Sequence, residues 1–363
     1  MTHGIPRTEQ ELDEIFGAPE ARGPRLYEAP HVPQSVPADE LPTADDMSLG
    51  QWRDAVNRLH EDTTVYPQFP WPDLANLAGP MCPEDLILVA ARTGGGKSLF
   101  LQNLFDAMVC VGRFGLYVGL EQTPRILRIK WACMRASVPP KFMLATRKED
   151  RGGAAWQDAM TRVQSELQWQ RSPEIRVRAF FSEARRIDKA GLKAWTEWAV
   201  DHGCEVVMID HVDRMRHGDG KNAFHELSET IQLAKELAVK HRLVMLMATQ
   251  VGRPADALEQ FMPPALHNLR GSGTKEEEAD TVLGIYRPLR SDATDDQLKR
   301  VRQGLLDRDT VIEPNTMGIQ LLKHRLDGPV AGKVVKLAVD QGRVLPLSER
   351  DRYATSYDAT RRL

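Results

Sequence analysis

The chain is short of aromatic rings, cysteines, long apolar runs and net charge, and each shortage narrows what it can be. Phe, Trp and Tyr make up 6% of its 363 residues. Four cysteines, Cys82, Cys110, Cys133 and Cys204, include no Cys-x-x-Cys pair, which argues against a zinc ribbon or a dithiol redox motif. Scattered thiols in a reducing compartment are the expectation. No stretch approaches the ~20 apolar residues that span a bilayer, and no basic-then-apolar signal opens the chain. A cytoplasmic protein with no membrane partner is expected. Excess charge is missing too, since 48 Lys and Arg face 51 Asp and Glu for a formal net charge of -3. A surface that gripped nucleic acid everywhere would be basic. Any such contact is therefore confined to a patch or a channel lining.

The first 45 residues differ from the rest. They hold Pro6, Pro19, Pro24, Pro30, Pro33, Pro37 and Pro42 with few aliphatic residues between them, too little apolar surface to offset ordering entropy. Disorder is expected, with one transient helix or docking peptide at TEQELDEIF, where Leu12, Ile15 and Phe16 share a face. A replication partner could engage it. Residues 48–61 carry Trp52, Val56 and Leu59 at helical spacing behind Ser48, a plausible N-cap. Pro67, Pro70 and Pro72 then break the chain, so residues 46–80 read as a linker.

From residue 81 strand and helix patterns alternate. Near-continuous apolar runs at 86–91, 114–120, 205–209, 243–249 and 281–286 suit strands buried on both faces of a mainly parallel sheet. Helical stretches at 98–110 and 225–241 separate them. The segments 318–325 and 333–340 read as a hairpin, and 346–363 as a polar tail. An α/β core with mixed strands over 81–345 is the expected architecture.

Within it, Ala91-Arg92-Thr93-Gly94-Gly95-Gly96-Lys97-Ser98 joins a strand to a helix. Backbone amides of such a loop, with the helix N-terminus, surround phosphate oxygens. Lys97 would reach the β- and γ-phosphates of ATP and Ser98 would place its hydroxyl on Mg2+. The expected nucleotide contacts are Arg92 to Leu99. Asp210 ends the run EVVMID and suits the magnesium side. Glu121 and Gln250 end two further runs, at the sheet edge where ligands collect. Glu121 is the candidate base for water, and Gln250 the candidate γ-phosphate sensor.

Six ordered stretches, LILVAARTGGGKS, VGLEQ, VVMIDHVDRM, LMATQVGR, LRGSGTKEEEADTVLGIYR and LLKHRLDGP, resemble the RecA-like motor domain of DnaB-type replicative helicases over roughly 80–342. That family tolerates alanine at the first loop position, here Ala91. The resemblance implies a P-loop NTPase, a homo-hexameric or other ring, single-stranded DNA as partner, and 5′→3′ movement. It implies that Lys323 and Arg325 reach the neighbouring subunit's nucleotide; two apart on a strand, they would share a face. It places DNA contact on two loops, one with Arg214, Arg216, Lys221 and Asn222, the other with Arg253 and Arg270. Neither loop holds an aromatic ladder for stacking bases, so backbone contact is expected. The 80 or so residues before the motor read as unlike the family's N-terminal primase-binding domain, so primase docking by that route is not expected, and 292–314 looks like an insertion. The helix at 48–61 sits where the family's linker helix packs on the next subunit. A RecA-type recombinase filament, or a loader ATPase without unwinding, shares the phosphate motifs and is the alternative.

Overall fold

The computed structural model describes residues 66–145, 153–176, 178–182, 187–215, 223–252, 262–269, 272–325 and 333–349. The proline-rich segment, the helix expected at 48–61 and the tail from 350 lie outside the described residues. The chain divides into two units between Tyr66 and Pro67, and every element named below belongs to the second.

Helix α1 (Pro72–Ala78) precedes β1 (Leu86–Ala91), and α2 (Lys97–Cys110) leads on to β2 (Gly115–Gly119). Four helices follow: α3 (Pro124–Arg135), α4 (Pro140–Ala145), α5 (Ala154–Gln170) and α6 (Pro173–Arg176). The short β3 (Ala179–Phe181), α7 (Lys189–Asp201), β4 (Val206–Asp210), α8 (Ala223–His241) and β5 (Val244–Gln250) continue the alternation. Then come α9 (Ser272–Glu278), β6 (Thr281–Tyr286) and α10 (Asp295–Arg302). Three strands close the fold: β7 (Thr316–His324), β8 (Val334–Asp340) and β9 (Arg343–Pro346).

All nine strands join one sheet in the order β3-β2-β4-β5-β1-β6-β7-β8-β9. The pairs from β3 to β6 are parallel, and β7, β8 and β9 add on antiparallel. This is the mainly parallel α/β sheet expected, with a closing hairpin. Alternation along β1 divides its side chains between two cores. Ile87, Val89 and Ala91 pack with Phe100 and Leu104 of α2, whereas Leu86, Leu88 and Ala90 pack with Ile231, Ala234 and Leu237 of α8. The chain leaves β1 for β2 on one side, while β6 lies on the other. The order reverses beside β1, and that switch point positions the site.

Three features depart from the sequence expectation. Residues 67–80 are part of the domain, not of a linker: Phe69, Trp71, Leu74 and Ala78 are buried in the main core. The hairpin carries a further strand, β9, whose Val344 and Leu345 are buried. The segment 292–314 forms α10 and a small core of its own around Val301, Val311 and Ile312. Thr294 and Gln297 cap α10 reciprocally. Among the described residues no helix is long and apolar enough to cross a membrane.

Candidate nucleotide site

The loop after β1 turns sharply at Gly94 and Gly96, whose φ angles are 76° and 101°, a region that glycine enters without strain. A Cβ on Gly96 would also lie 2.7 Å from the Met317 side chain. Gly96 is the N-cap of α2 and no side chain caps that end. The first-turn N–H groups are thus available to an anion, and the helix dipole favours one. Lys97 is buried and donates to the carbonyls of Ala91 at 2.9 Å and Arg92 at 3.4 Å. Burial lowers its pKa, against the pull of Asp210, Asp213 and Glu121. Ser98 is half-buried in the first turn, and Leu99 packs against the core. Gln250, in register with Ala91, donates its side-chain amide to Thr93 Oγ1 at 2.5 Å. Loop and sensor candidate are therefore in contact.

Asp210 ends β4, the second strand from β1. Its Oδ2 accepts from the Tyr117 hydroxyl at 2.8 Å, while its buried Oδ1 has no hydrogen-bond partner. A buried carboxylate oxygen without a partner is costly unless a cation or its water meets it. Asp210 and Ser98 accordingly fit a magnesium ion, which needs only one or two protein ligands and keeps several waters. Glu121 lies two residues beyond β2. Its Oε1 accepts from Arg214 Nε at 2.8 Å and faces His211 Nε2 at 3.3 Å. Burial opposes ionisation of Glu121, but Arg214 and His211 outweigh it and hold the carboxyl below its usual range. Arg214, expected on DNA, thus reaches the candidate base. Arg216, Lys221, Asn222, Arg253 and Arg270 lie outside the described residues.

Sequence reasoning missed four polar residues here. His211 Nδ1 meets Asp213 Oδ2 at 3.2 Å, and the same oxygen accepts the Gln250 backbone N–H at 2.7 Å. Burial works against ionisation of Asp213, yet His211, Lys275 and that amide hold its carboxyl far below the ordinary range. Lys275, only 1% exposed, pairs with Asp213 at 3.5 Å and donates to Thr249 Oγ1. Lys130 of α3 is half-buried, and its pKa is lowered by burial against the charges of Asp210 and Glu121. His211, Asp213 and Lys275 lie within stretches that carry the family resemblance. Lys275 opens a Lys-Glu-Glu-Glu run, a pattern that normally marks a solvated face, and nothing in the sequence signals its burial.

Lys323 and Arg325 occupy the other edge of the sheet. Lys323 pairs with Val282 near the start of β6, and Arg325 follows β7 by one residue. Arg325 Nη1 meets Asp280 Oδ1 at 2.9 Å, and Nη2 donates to the Glu277 carbonyl at 3.0 Å. Lys323 donates to the carbonyls of Glu276 and Glu277. The two cations therefore share the C-terminal end of α9, distant from their own phosphate loop.

A glycine-rich loop with a buried lysine at the switch point of a mainly parallel sheet defines a domain of the RecA-like P-loop class. Residues 70–341 match the model of the DnaB-like helicase C terminal domain, and the chain belongs to that family. It is 27% identical over 221 residues to the replicative DNA helicase DnaB of Rickettsia prowazekii, which covers 56% of this chain and 42% of that protein. It is 24% identical over 251 residues to the replicative DNA helicase DnaC of Bacillus subtilis, covering 66% of this chain and 51% of that one. The chain thus spans about half the length of these relatives. Among solved structures, a DnaB-like replicative helicase, described with its interactions with primase, superposes with a TM-score of 0.64 at 19% identity, over 83% of this chain and 68% of that one. A second, solved as an ATPase domain alone, gives 0.63 at 20% identity over 84% of this chain and all of that one. These likenesses establish the fold.

Proposed function

We propose that the chain is a ring-forming ATPase, stimulated by single-stranded DNA, that moves on it as a DnaB-like helicase in DNA replication. One observation carries this reading. The phosphate loop with Glu121 and Gln250 stands at one edge of the sheet, and Lys323 with Arg325 at the other. A cation pair so placed cannot serve its own loop, but suits the loop of a neighbouring copy.

In such a site the amides of residues 93–99 and Lys97 bind the phosphates. Asp210 and Ser98 would hold magnesium, which when bound would neutralise phosphate charge. Glu121 orients and accepts a proton from the attacking water once Arg214 and His211 release it. Gln250 reads the γ-phosphate. Arg325 of the adjacent copy, with Lys323, stabilises charge in the transition state. The loops after β4 and β5, with Arg216, Lys221, Asn222, Arg253 and Arg270, follow the DNA backbone without reading sequence.

ATPase rate with and without single-stranded DNA tests this in wild type and Arg325→Ala. The wild type should be strongly stimulated. An arginine acting in trans is worth ~10³–10⁵ in rate, so Arg325→Ala should lose nearly all activity. Mixing it with Lys97→Ala chains, which keep an intact Arg325, should restore part. Absence of stimulation, or an Arg325→Ala protein as fast as wild type, would sink the reading.

A further inference from the structure

Lysine is almost never fully buried unless paired, and taking two charges out of water is costly. Yet Lys275 and Asp213 face each other at 3.5 Å in the interior, with side-chain exposures of 1% and 8%. An apolar pair would fill the same space without that cost. What the charges add is connection. Asp213 Oδ2 accepts from the Gln250 backbone N–H at 2.7 Å, from Thr249 Oγ1 at 3.2 Å and meets His211 Nδ1 at 3.2 Å. His211 in turn faces Glu121 at 3.3 Å. The candidate base and the candidate sensor of one site are thus held on a single carboxylate, and that carboxylate is held by α9.

The two residues that follow Lys275 in α9 hold different cargo. The carbonyls of Glu276 and Glu277 accept from Lys323 and Arg325. Asp280, just past the helix, pairs with Arg325 at 2.9 Å and accepts the Leu86 backbone N–H at 2.8 Å. Thr249 is in register with Ala90, four residues along β1 from Leu86. At ~3.3 Å per residue that separation is roughly 13 Å. Lys275 and the short helix that carries it therefore bridge the sheet from the phosphate edge to the opposite edge.

We propose that Asp213 and Lys275 are positioning residues, and that α9 is a rod tying the nucleotide state of one site to the placement of Lys323 and Arg325 against the next copy. This rests on the trans role of those two cations. A ligand shifts such an element only through contacts that differ between its states. Here the differing contacts are that of Gln250 with the γ-phosphate and that of Glu121 with the water poised to attack it. A shift of either reaches Asp213, then Lys275, then the carbonyls that hold Lys323 and Arg325.

Hydrogen exchange on the full wild-type chain, with magnesium and a non-hydrolysable ATP analogue, is the first test. The amides of α9 and of 323–325 should slow several-fold together with those of the phosphate loop. Protection of the loop with no change in α9 overturns the rod. No protection at the loop overturns the proposed function instead.

Complementation is the second test. Lys275→Met should lower kcat by roughly tenfold to a hundredfold, the scale of a small misplacement of catalytic groups, and leave KM for ATP within about twofold. Because it damages both its own site and its neighbour's, neither Lys97→Ala nor Arg325→Ala chains should rescue it, although those two rescue each other. Rescue by either one confines Lys275 to one site and overturns the proposal. Failure of the Lys97→Ala and Arg325→Ala pair to rescue each other overturns the trans reading beneath it. The double variant Asp213→Asn/Lys275→Met guards against mere misfolding, since neutralising both partners of a buried pair is often tolerated. A double variant that melts like wild type and still lacks kcat supports the rod. One that melts and turns over like wild type reduces the pair to packing and ends the idea.

Discussion

Two carboxylates at the entrance to β1 differ in how fully they are compensated. Asp280 is 7% exposed, but it accepts from Leu86 N and pairs with Lys235 at 2.7 Å and Arg325 at 2.9 Å. Asp85 accepts the Cys82 N–H at 2.7 Å. Burial, and then the nearby charge of Asp280, push Asp85 up to about 6, against the Cys82 N–H, Lys235 and His324. A carboxyl whose pKa is higher in the folded chain than in the unfolded one binds its proton more tightly when folded. Its contribution to stability is greatest below the unfolded value and is lost as pH rises to about 6. Ionised Asp85 therefore weakens the fold at neutral pH. Asp85→Asn keeps an acceptor for Cys82 and removes the charge, so it should be more stable than wild type at pH 8. That advantage should vanish near pH 4. Urea midpoints at the two pH values decide it; an advantage that is equal at both, or a loss at pH 8, would show that the charge is well compensated.

At the scale of elements, α1 fixes where the domain begins. Trp71, 2% exposed, stacks on Phe100 of α2 with ring centroids 4.9 Å apart and donates its indole N–H to Val344 of β9 at 2.8 Å. One side chain thereby joins the first helix, the phosphate-loop helix and the last strand. Trp71→Ala should cost ~3–5 kcal/mol, the range for deleting a buried large aromatic, readable by denaturant unfolding; a loss under ~1 kcal/mol would mean that α1 is peripheral. This helix was hidden in the sequence because Pro72 looks like a break, whereas proline at the first helical position is well tolerated. β3 and β9, with three and four residues, are too short for periodicity to register. The central strands were legible because burial on both faces leaves continuous apolar runs. Glu121, Asp210 and Gln250 were legible because each polar residue closes such a run. His211, Asp213 and Lys275 were not, since their meeting depends on α9 packing against the turn after β4, and local pattern does not record that.

At the scale of the whole molecule, the proposed function makes catalysis a property of neighbours, because loop and cations are placed at opposed edges of the sheet. A single copy owns a complete phosphate cradle in residues 91–99, but its Lys323 and Arg325 point their chemistry to the far edge. The amphipathic stretch at 48–61, outside the described residues, is the segment that the family resemblance assigns to gripping the next copy. Removing residues 1–62 leaves the domain from Pro67 whole, because Phe69, Trp71 and Leu74 stay in its core. The truncated chain should therefore melt as a folded domain and bind ATP with nearly unchanged affinity. Its light-scattering mass should fall to that of one chain, and its ATPase rate should drop towards that of Arg325→Ala. An unchanged mass with an undiminished rate would place the grip between copies within residues 67–349 rather than in the segment before them.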